Sequence, residues 1–206
     1  MSSVKLQVRI VFVMNTSENE QFYVVGNNLA LDFVNSFTTE LTPQSLVRWA
    51  VAVKLIDAEK AKSLLLKWGE TILAEIAEFR KELREAVINL ANGEKLKPQE
   101  LDLINQVLRQ SSGYSELSQT PEGFTKRFEI DLSEPKKILV PIAESMADLL
   151  CYGNLDYLRN CENPPCFLYF YDTTKNHKRR WCSMAVCGNR AKAAKFYQRQ
   201  KGSQLT

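Results

Sequence analysis

The sequence predicts a mainly α protein with a small β element (an α+β fold). We expect a helical N-terminal domain followed by a C-terminal treble-clef-like zinc finger. Apolar residues recur at helical spacing through much of residues 1–150, and all five cysteines fall within residues 151–206. The charge divides at the same place. Residues 151–206 carry 10 Lys/Arg against 3 Asp/Glu, a net charge of +7, whereas residues 1–150 carry −4.

Composition excludes several classes of protein. Among 206 residues, 45% are hydrophobic and 25% are charged, which is ordinary for a soluble globular chain and excludes global disorder and collagen. No apolar run approaches the roughly 20 residues of a membrane span. The N-terminus is too polar for a secretory signal peptide. We therefore expect a cytoplasmic protein with no membrane partner.

We expect three regions. Residues 1–21 form an N-terminal extension or strand, residues 22–152 a helical domain, and residues 153–206 the zinc finger. The division follows the change in charge and in cysteine content, because neither long linkers nor repeats mark a boundary.

The chain begins with extended segments. Residues 4–12 alternate apolar and polar side chains, which predicts a strand, and residues 22–26 form a second extended run. The spacing then changes and predicts a short helix over residues 29–37, with Asn27 or Asn28 as its N-cap.

Four further helices follow. Thr42 and Pro43 provide a capping residue and a proline at the first helical position, and Asp57 opens the next helix. The clearest helix covers residues 70–91, where apolar residues recur at steps of three and four. Pro98 starts the last of the four.

A β-hairpin is expected over residues 113–132, where glycines flank two short runs, the second of which alternates. Pro135 begins the last helix of this domain, which ends near Gly153. The domain has no histidine, no phosphate-binding glycine loop and no nucleophile elbow, so we expect no enzyme activity. Asp32 and Asn35 are polar residues inside an apolar helix; we favour capping or buried hydrogen bonds, with a ligand pocket as the alternative.

The cysteines form two pairs of the same spacing. Cys161 and Cys166 are separated by four residues, as are Cys182 and Cys187, and fifteen residues lie between the pairs. This pattern predicts four thiolates on one tetrahedral Zn²⁺, which is structural because no coordination position stays open. The alternative is four cysteines without metal. Cys151 lies outside the pairs, and we expect it in the core.

Strands and a helix complete the finger. Residues 167–171 predict an aromatic strand, and residues 179–181 a second strand that returns to Cys182. The Ala-rich segment after Cys187 predicts a helix, with Ala191, Ala194 and Phe196 packed inward.

Basic residues lie throughout this predicted finger. A zinc-held helix with Lys and Arg suits contact with phosphates and entry into the major groove, so we expect DNA or RNA as a partner. A solvated basic face is the alternative. The candidate contacts are Lys178, Arg179, Arg180, Arg190, Lys192, Lys195 and Arg199.

Three other functions fit some of these residues. The finger of an adaptor would dock on an acidic protein surface without binding nucleic acid. A nuclease would use His177, the only histidine of the chain. A redox-sensitive regulator would lose zinc when its cysteine pairs are oxidised.

The motifs resemble a known family. Trp181–Cys182 and the run Cys187-Gly188-Asn189-Arg190 are similar to the signature of the CGNR zinc finger, and residues 26–36 resemble the entry motif of the ABATE domain. Asn27 stands where a second glycine is expected. The resemblance covers about residues 22–200. It implies a bacterial stress-induced transcription regulator whose finger binds DNA and whose helical domain senses a signal or forms a homodimer.

Overall fold

The computed structural model describes residues 22–36, 41–68, 73–111, 113–121, 123–130, 132 and 134–203. The strand predicted over residues 4–12 lies outside these ranges. The helices described are α1 (Leu29–Val34), α2 (Pro43–Ala52), α3 (Ala58–Leu65), α4 (Leu73–Ala91), α5 (Pro98–Leu108), α6 (Leu139–Tyr152) and α7 (Asn189–Ser203). The strands are β1 (Gly113–Thr120), β2 (Gly123–Ile130), β3 (Leu158–Asn160) and β4 (Tyr169–Tyr171).

Helix α1 lies in the centre of the molecule. Residues 30–34 are all buried, and the helix packs against α4, α6 and β4. The Asn28 side chain caps it by accepting a hydrogen bond from the Leu31 N–H (3.2 Å), so one of the two predicted N-caps is confirmed. Six residues are too few for a stable isolated helix. Burial of its apolar side chains among longer helices therefore stabilises α1.

Helices α2 to α6 form as the periodicity predicts, and α4 and α6 pack directly against α1. Thr42 and Ser45 form a reciprocal capping box at the start of α2, and Asp57 accepts from the Lys60 N–H (2.7 Å) at the start of α3. In the described part of the chain, no helix is long and apolar enough to cross a lipid bilayer. The predicted stripe of α4 is buried at Ile76, Phe79, Leu83, Val87 and Leu90.

The predicted β-hairpin is confirmed. Strands β1 and β2 pair antiparallel in continuous register, from Gly113 opposite Ile130 to Thr120 opposite Gly123. The helix predicted from Pro135 begins as a 3₁₀ turn over Pro135–Ile138 and continues as α6.

The strand predicted over residues 179–181 does not form. Strand β4 pairs with β3, which precedes the first cysteine, and not with residues 179–181. The Asp172 carboxylate accepts from the Thr174 N–H (2.9 Å) and the Arg179 N–H (2.8 Å). These bonds fold the chain after β4 into a loop. The Arg180 carbonyl instead accepts from the Glu162 N–H (2.9 Å).

Two predictions about burial are wrong. Helix α7 packs against a π-helical turn over Met184–Gly188, but Ala194 is exposed and Phe196 is 58% exposed. A helix that meets its neighbour at one end cannot bury side chains further along. Cys151, near the C-terminal end of α6, is also exposed.

Candidate metal centre and the surrounding basic surface

The four paired cysteines come together at one point. Their sulfur atoms all lie within 4.8 Å of one another, with 3.7 Å between the Sγ atoms of Cys166 and Cys182 and 3.5 Å between those of Cys182 and Cys187. A tetrahedral zinc site with Zn–S bonds of about 2.3 Å has sulfur atoms about 3.8 Å apart, whereas a disulfide joins them at about 2.05 Å. The four cysteines can therefore hold one zinc ion.

Backbone hydrogen bonds place the first pair of sulfurs. The Cys161 N–H donates to the Leu168 carbonyl (3.0 Å), which closes the segment between β3 and β4. The Cys166 N–H donates to the Asn163 carbonyl (2.7 Å), so the turn that contains Pro164 and Pro165 brings the two cysteines to one side.

The second pair is held by a different turn. The Cys182 N–H donates to the Cys161 Sγ (3.3 Å). Ser183 caps the π-helical turn by accepting from the Val186 N–H (3.3 Å), and this turn carries Cys187 back to the other sulfurs. The Asn163 Nδ2 lies 3.5 Å from the Cys187 Sγ. N–H donors to sulfur stabilise thiolates, the form that binds metal.

Without a metal, the electrostatics of the cluster favour a single thiolate. A hydrogen bond from the Cys182 thiol lowers the pKa of Cys166 to about 5. The same bond raises the pKa of Cys182 far above its usual range, and burial adds to this effect. Burial also raises the pKa of Cys161 to about 11. One thiolate is thus favoured and further ones are opposed. A divalent metal removes this opposition, because it binds thiolates directly.

Arg179 lies at the join between the finger and the helical domain. Its guanidinium donates to the carbonyls of Val25 (3.1 Å), Trp181 (3.0 Å) and Cys182. It also lies 4.2 Å from the centre of the Phe170 ring. Burial lowers its pKa. This predicted nucleic-acid contact is therefore occupied by contacts within the chain.

The other predicted nucleic-acid residues are exposed and lie in two groups. Lys178 and Arg180 line an open groove of about 510 Å³ together with Lys175 and Trp181. Arg180 forms an ion pair with Glu162 (2.5 Å) and lies 5.0 Å from the Trp181 ring. The second group lies along α7 and consists of Arg190, Lys192, Lys195 and Arg199.

Asn35 connects the helical domain to the finger, and Asp32 holds the backbone of the segment that precedes α1. The Asn35 side chain donates to the Tyr169 carbonyl (2.7 Å) and accepts from the Tyr169 N–H (2.9 Å). Asp32 accepts from the Gly26 N–H (2.7 Å). Burial raises the pKa of Asp32 to about 7, against the opposing effect of hydrogen bonds from the Gly26 and Val25 backbone. The favoured interpretation, buried hydrogen bonds, is confirmed for both residues.

Sequence reasoning missed two residues of this join. Asn27 has a left-handed backbone (φ 58°), which Asn tolerates better than most residues. Its Nδ2 donates to the Tyr171 carbonyl (2.9 Å). Arg84 of α4 donates to the carbonyls of Val34 and Phe167, both at 2.9 Å. The departure from glycine at Asn27 was a signal, but nothing in the sequence distinguishes Arg84 from the other charged residues of α4.

His177, the residue of the nuclease alternative, packs inside the loop after β4. Its ring stacks on Tyr157 at 3.6 Å between centroids and 4° between planes. Its Nδ1 lies 3.0 Å from the Asp172 carbonyl. The ring thus contributes to the structure of the loop.

Two family models match the chain. Residues 27–153 match the family model ABATE, described as "Putative stress-induced transcription regulator", and residues 157–200 match the CGNR zinc finger. The resemblance seen in the sequence is thereby confirmed. No curated protein matches the chain.

Proposed function

Because the chain belongs to the ABATE family and carries a CGNR zinc finger, we propose that it is a transcription regulator whose finger binds duplex DNA. The zinc ion is structural in this proposal. It fixes the loop after β4 and the start of α7 in one arrangement, and the exposed cations of both segments contact phosphates. The helical domain carries the regulatory function.

The proposal rests on five exposed cations of the finger. They make no hydrogen bond, ion pair or ring contact within the described part of the chain. Unpaired cations that are organised by a rigid metal site favour a polyanion, because each phosphate contact releases a condensed counterion from DNA. These five are Lys175, Lys178, Arg190, Lys192 and Lys195.

The composition of α7 supports a nucleic acid over a second copy of the helix. Its sequence contains five Lys/Arg and no Asp/Glu. Lys195 and Arg199 are four residues apart, a spacing at which like charges destabilise a helix. A second α7 would add to this repulsion, whereas phosphates would relieve it. Fifteen residues span about 22 Å, and an α-helix fits the major groove of DNA, about 12 Å wide.

The proposal is tested by neutralising charge on α7 and, as a matched control, on the helical domain. We expect the double variant Lys192→Gln/Lys195→Gln to bind a 30-base-pair duplex roughly tenfold or more weakly at low salt, because two phosphate contacts are lost. The control Lys62→Gln/Lys67→Gln removes the same charge from exposed positions outside the finger and should bind as wild type. Fluorescence anisotropy of labelled DNA gives both dissociation constants.

Equal affinity of the two double variants would contradict the proposal. Preference for RNA of the same sequence would contradict the choice of DNA. Absence of binding to either nucleic acid would favour the adaptor that docks on an acidic protein.

We propose that the finger binds without catalysis. The stacking of His177 on Tyr157 and its contact with the Asp172 carbonyl support a structural role for the ring. Incubation with supercoiled plasmid and Mg²⁺ should leave the plasmid intact. Cleavage that disappears in His177→Ala would contradict this part of the proposal.

We further propose that the regulator acts in the cytoplasm as a homodimer formed by its helical domain. A two-fold symmetric regulator reads two half-sites about one helical turn apart. Sedimentation velocity of the full chain with and without DNA measures the oligomeric state. A monomer at all concentrations, bound one to each duplex, would contradict the dimer.

A further inference from the structure

A cavity of about 270 Å³ lies between the helical domain and the finger. Three segments of the chain enclose it. Residues 22–25 lead into α1, residues 163–168 contain the first zinc turn, and residues 182–190 contain the second zinc turn and the start of α7. Pockets for drug-sized ligands measure about 300–1,000 Å³. A cavity just below this range has room for a small molecule.

The walls of the cavity are mainly apolar. Phe22, Val25 and Leu168 are buried residues that line it, and Phe167 and Val186 contribute further apolar surface. An occupant with a hydrocarbon or aromatic body would remove these walls from water, which is favourable in proportion to the apolar area covered.

Among the polar side chains of the lining, three cysteines belong to the metal centre and two others already make contacts within the chain. Asn163 contacts the Cys187 sulfur, and Ser183 caps its own turn. Arg190 also lines the cavity, and it makes no hydrogen bond, ion pair or ring contact with any residue that the structure describes. It is the only Lys, Arg, Asp or Glu among the described lining residues.

We propose that this cavity binds a small amphipathic carboxylate, with its apolar body between the three segments and its carboxylate on the Arg190 guanidinium. The planar fork of an arginine matches a carboxylate with two parallel hydrogen bonds. The apolar walls exclude a fully hydrated anion such as inorganic phosphate, because it would lose its water without compensation. The zinc sulfurs take no part, since the metal uses all four.

The position of Arg190 gives such a ligand a regulatory effect, and this step rests on the proposed binding of DNA. Arg190 lies in the first turn of α7 and belongs to the exposed cations assigned to phosphates. A carboxylate on its guanidinium competes with a phosphate. Because linkage is reciprocal, ligand and DNA weaken each other's binding by the same factor.

The inference is tested first without DNA, on the full zinc-loaded chain. We expect 4-phenylbutyrate and octanoate to bind with one site per chain in titration calorimetry. The neutral amide 4-phenylbutyramide has nearly the same shape and should bind roughly tenfold or more weakly, because it lacks the charge-assisted hydrogen bonds. The two carboxylates show whether the cavity prefers an aromatic or an aliphatic body.

Two variants locate the site. Arg190→Gln should weaken binding of the carboxylates roughly tenfold and leave that of the amide unchanged. Lys192→Gln, which removes the same charge outside the lining, should bind the carboxylates and the amide with wild-type affinity. Val24→Phe places a ring in the lining and should abolish binding. Zinc content and circular dichroism establish that each variant is folded.

Three results would overturn the inference: no heat from either carboxylate up to about 10 mM, equal affinity for carboxylate and amide, or full affinity in Arg190→Gln. The regulatory step has its own test. A saturating carboxylate should weaken binding of a DNA duplex roughly fivefold to tenfold, the effect of one phosphate contact at about 0.1 M salt. A chain that binds the carboxylate but no DNA contradicts the proposed function and leaves the ligand site standing.

Discussion

At the scale of single residues, buried polar side chains of the helical domain bind the backbone of the finger. Asn35 is fully buried, and its amide both donates to and accepts from the Tyr169 backbone, as a neighbouring strand would. The Gly26 carbonyl accepts from the Tyr171 N–H (2.8 Å) on the same strand. Because unpaired buried polar groups are costly, these bonds fix the position of β4 against α1.

Asp32 gives this join a dependence on pH. Its pKa is raised from 3.8 to about 7 by burial, so the folded state binds more protons than the unfolded state between these values. The free energy of unfolding therefore falls as pH rises from about 4 to about 7. Between pH 5 and pH 8 we expect the free energy of unfolding of wild type to fall by about 2–3 kcal/mol relative to that of Asp32→Asn.

Urea unfolding of both proteins across this range measures the difference. Comparing wild type with Asp32→Asn removes the pH dependence that the cysteines contribute to both. If the two proteins differ in free energy of unfolding by the same amount from pH 5 to pH 8, Asp32 keeps an ordinary pKa.

Arg179 shows what the sequence cannot predict at this scale. It lies within a basic run, next to Lys178 and Arg180. An arginine at this position looks the same in the sequence whether it is exposed to nucleic acid or bound within the chain. Its direction depends on the Val25 carbonyl, which a distant segment of the chain brings to it. Asn35 was recognisable in the sequence as a buried polar group, but its partner, Tyr169, was not.

At the scale of secondary structure, local patterns predicted the helices and missed one strand. The apolar stripe of α4 and the capping residues of α2 and α3 act within a few residues of the chain, so the sequence contains them directly. Strand β3 has three residues and exists through its pairing with β4. No period can be recognised in so short a segment, and residues 179–181 took its place in the prediction.

The exposure of α7 leads to a prediction about two phenylalanines of the finger. Phe170 is fully buried and lies beneath Arg179, whereas Phe196 is 58% exposed on α7. Phe170→Ala should lower the free energy of unfolding by about 3–5 kcal/mol, because it leaves a cavity. Phe196→Ala should change it by less than about 0.5 kcal/mol.

Thermal or urea unfolding of the zinc-loaded variants compares them directly. A large loss of stability in Phe196→Ala would mean that α7 packs against the protein and is not available as an exposed surface.

At the scale of the whole molecule, we expect the zinc site and the helical domain to stabilise each other. Metal binding contributes to folding because the site does not exist in the unfolded chain. Strand β4 lies between the two cysteine pairs in the sequence and contacts α1. Loss of zinc should therefore destabilise the helical domain as well as the finger.

Hydrogen exchange after chelation tests this coupling. The Tyr169 and Tyr171 amides, which donate to Asn35 and Gly26, should lose most of their protection when zinc is removed. Cys166→Ser should show the same loss, and Cys151→Ser, outside the cluster, should keep zinc and protection. Unchanged protection of both tyrosine amides after complete removal of zinc would contradict the coupling.

In the proposed function, a zinc-organised set of exposed cations binds DNA through phosphates. The dependence of the association constant on salt tests it most directly. If about four of the cations contact phosphates, a plot of log K against log salt concentration for the zinc-loaded full chain has a slope of about −3.6. An association constant that does not change with salt, or no binding at about 50 mM salt, would contradict it.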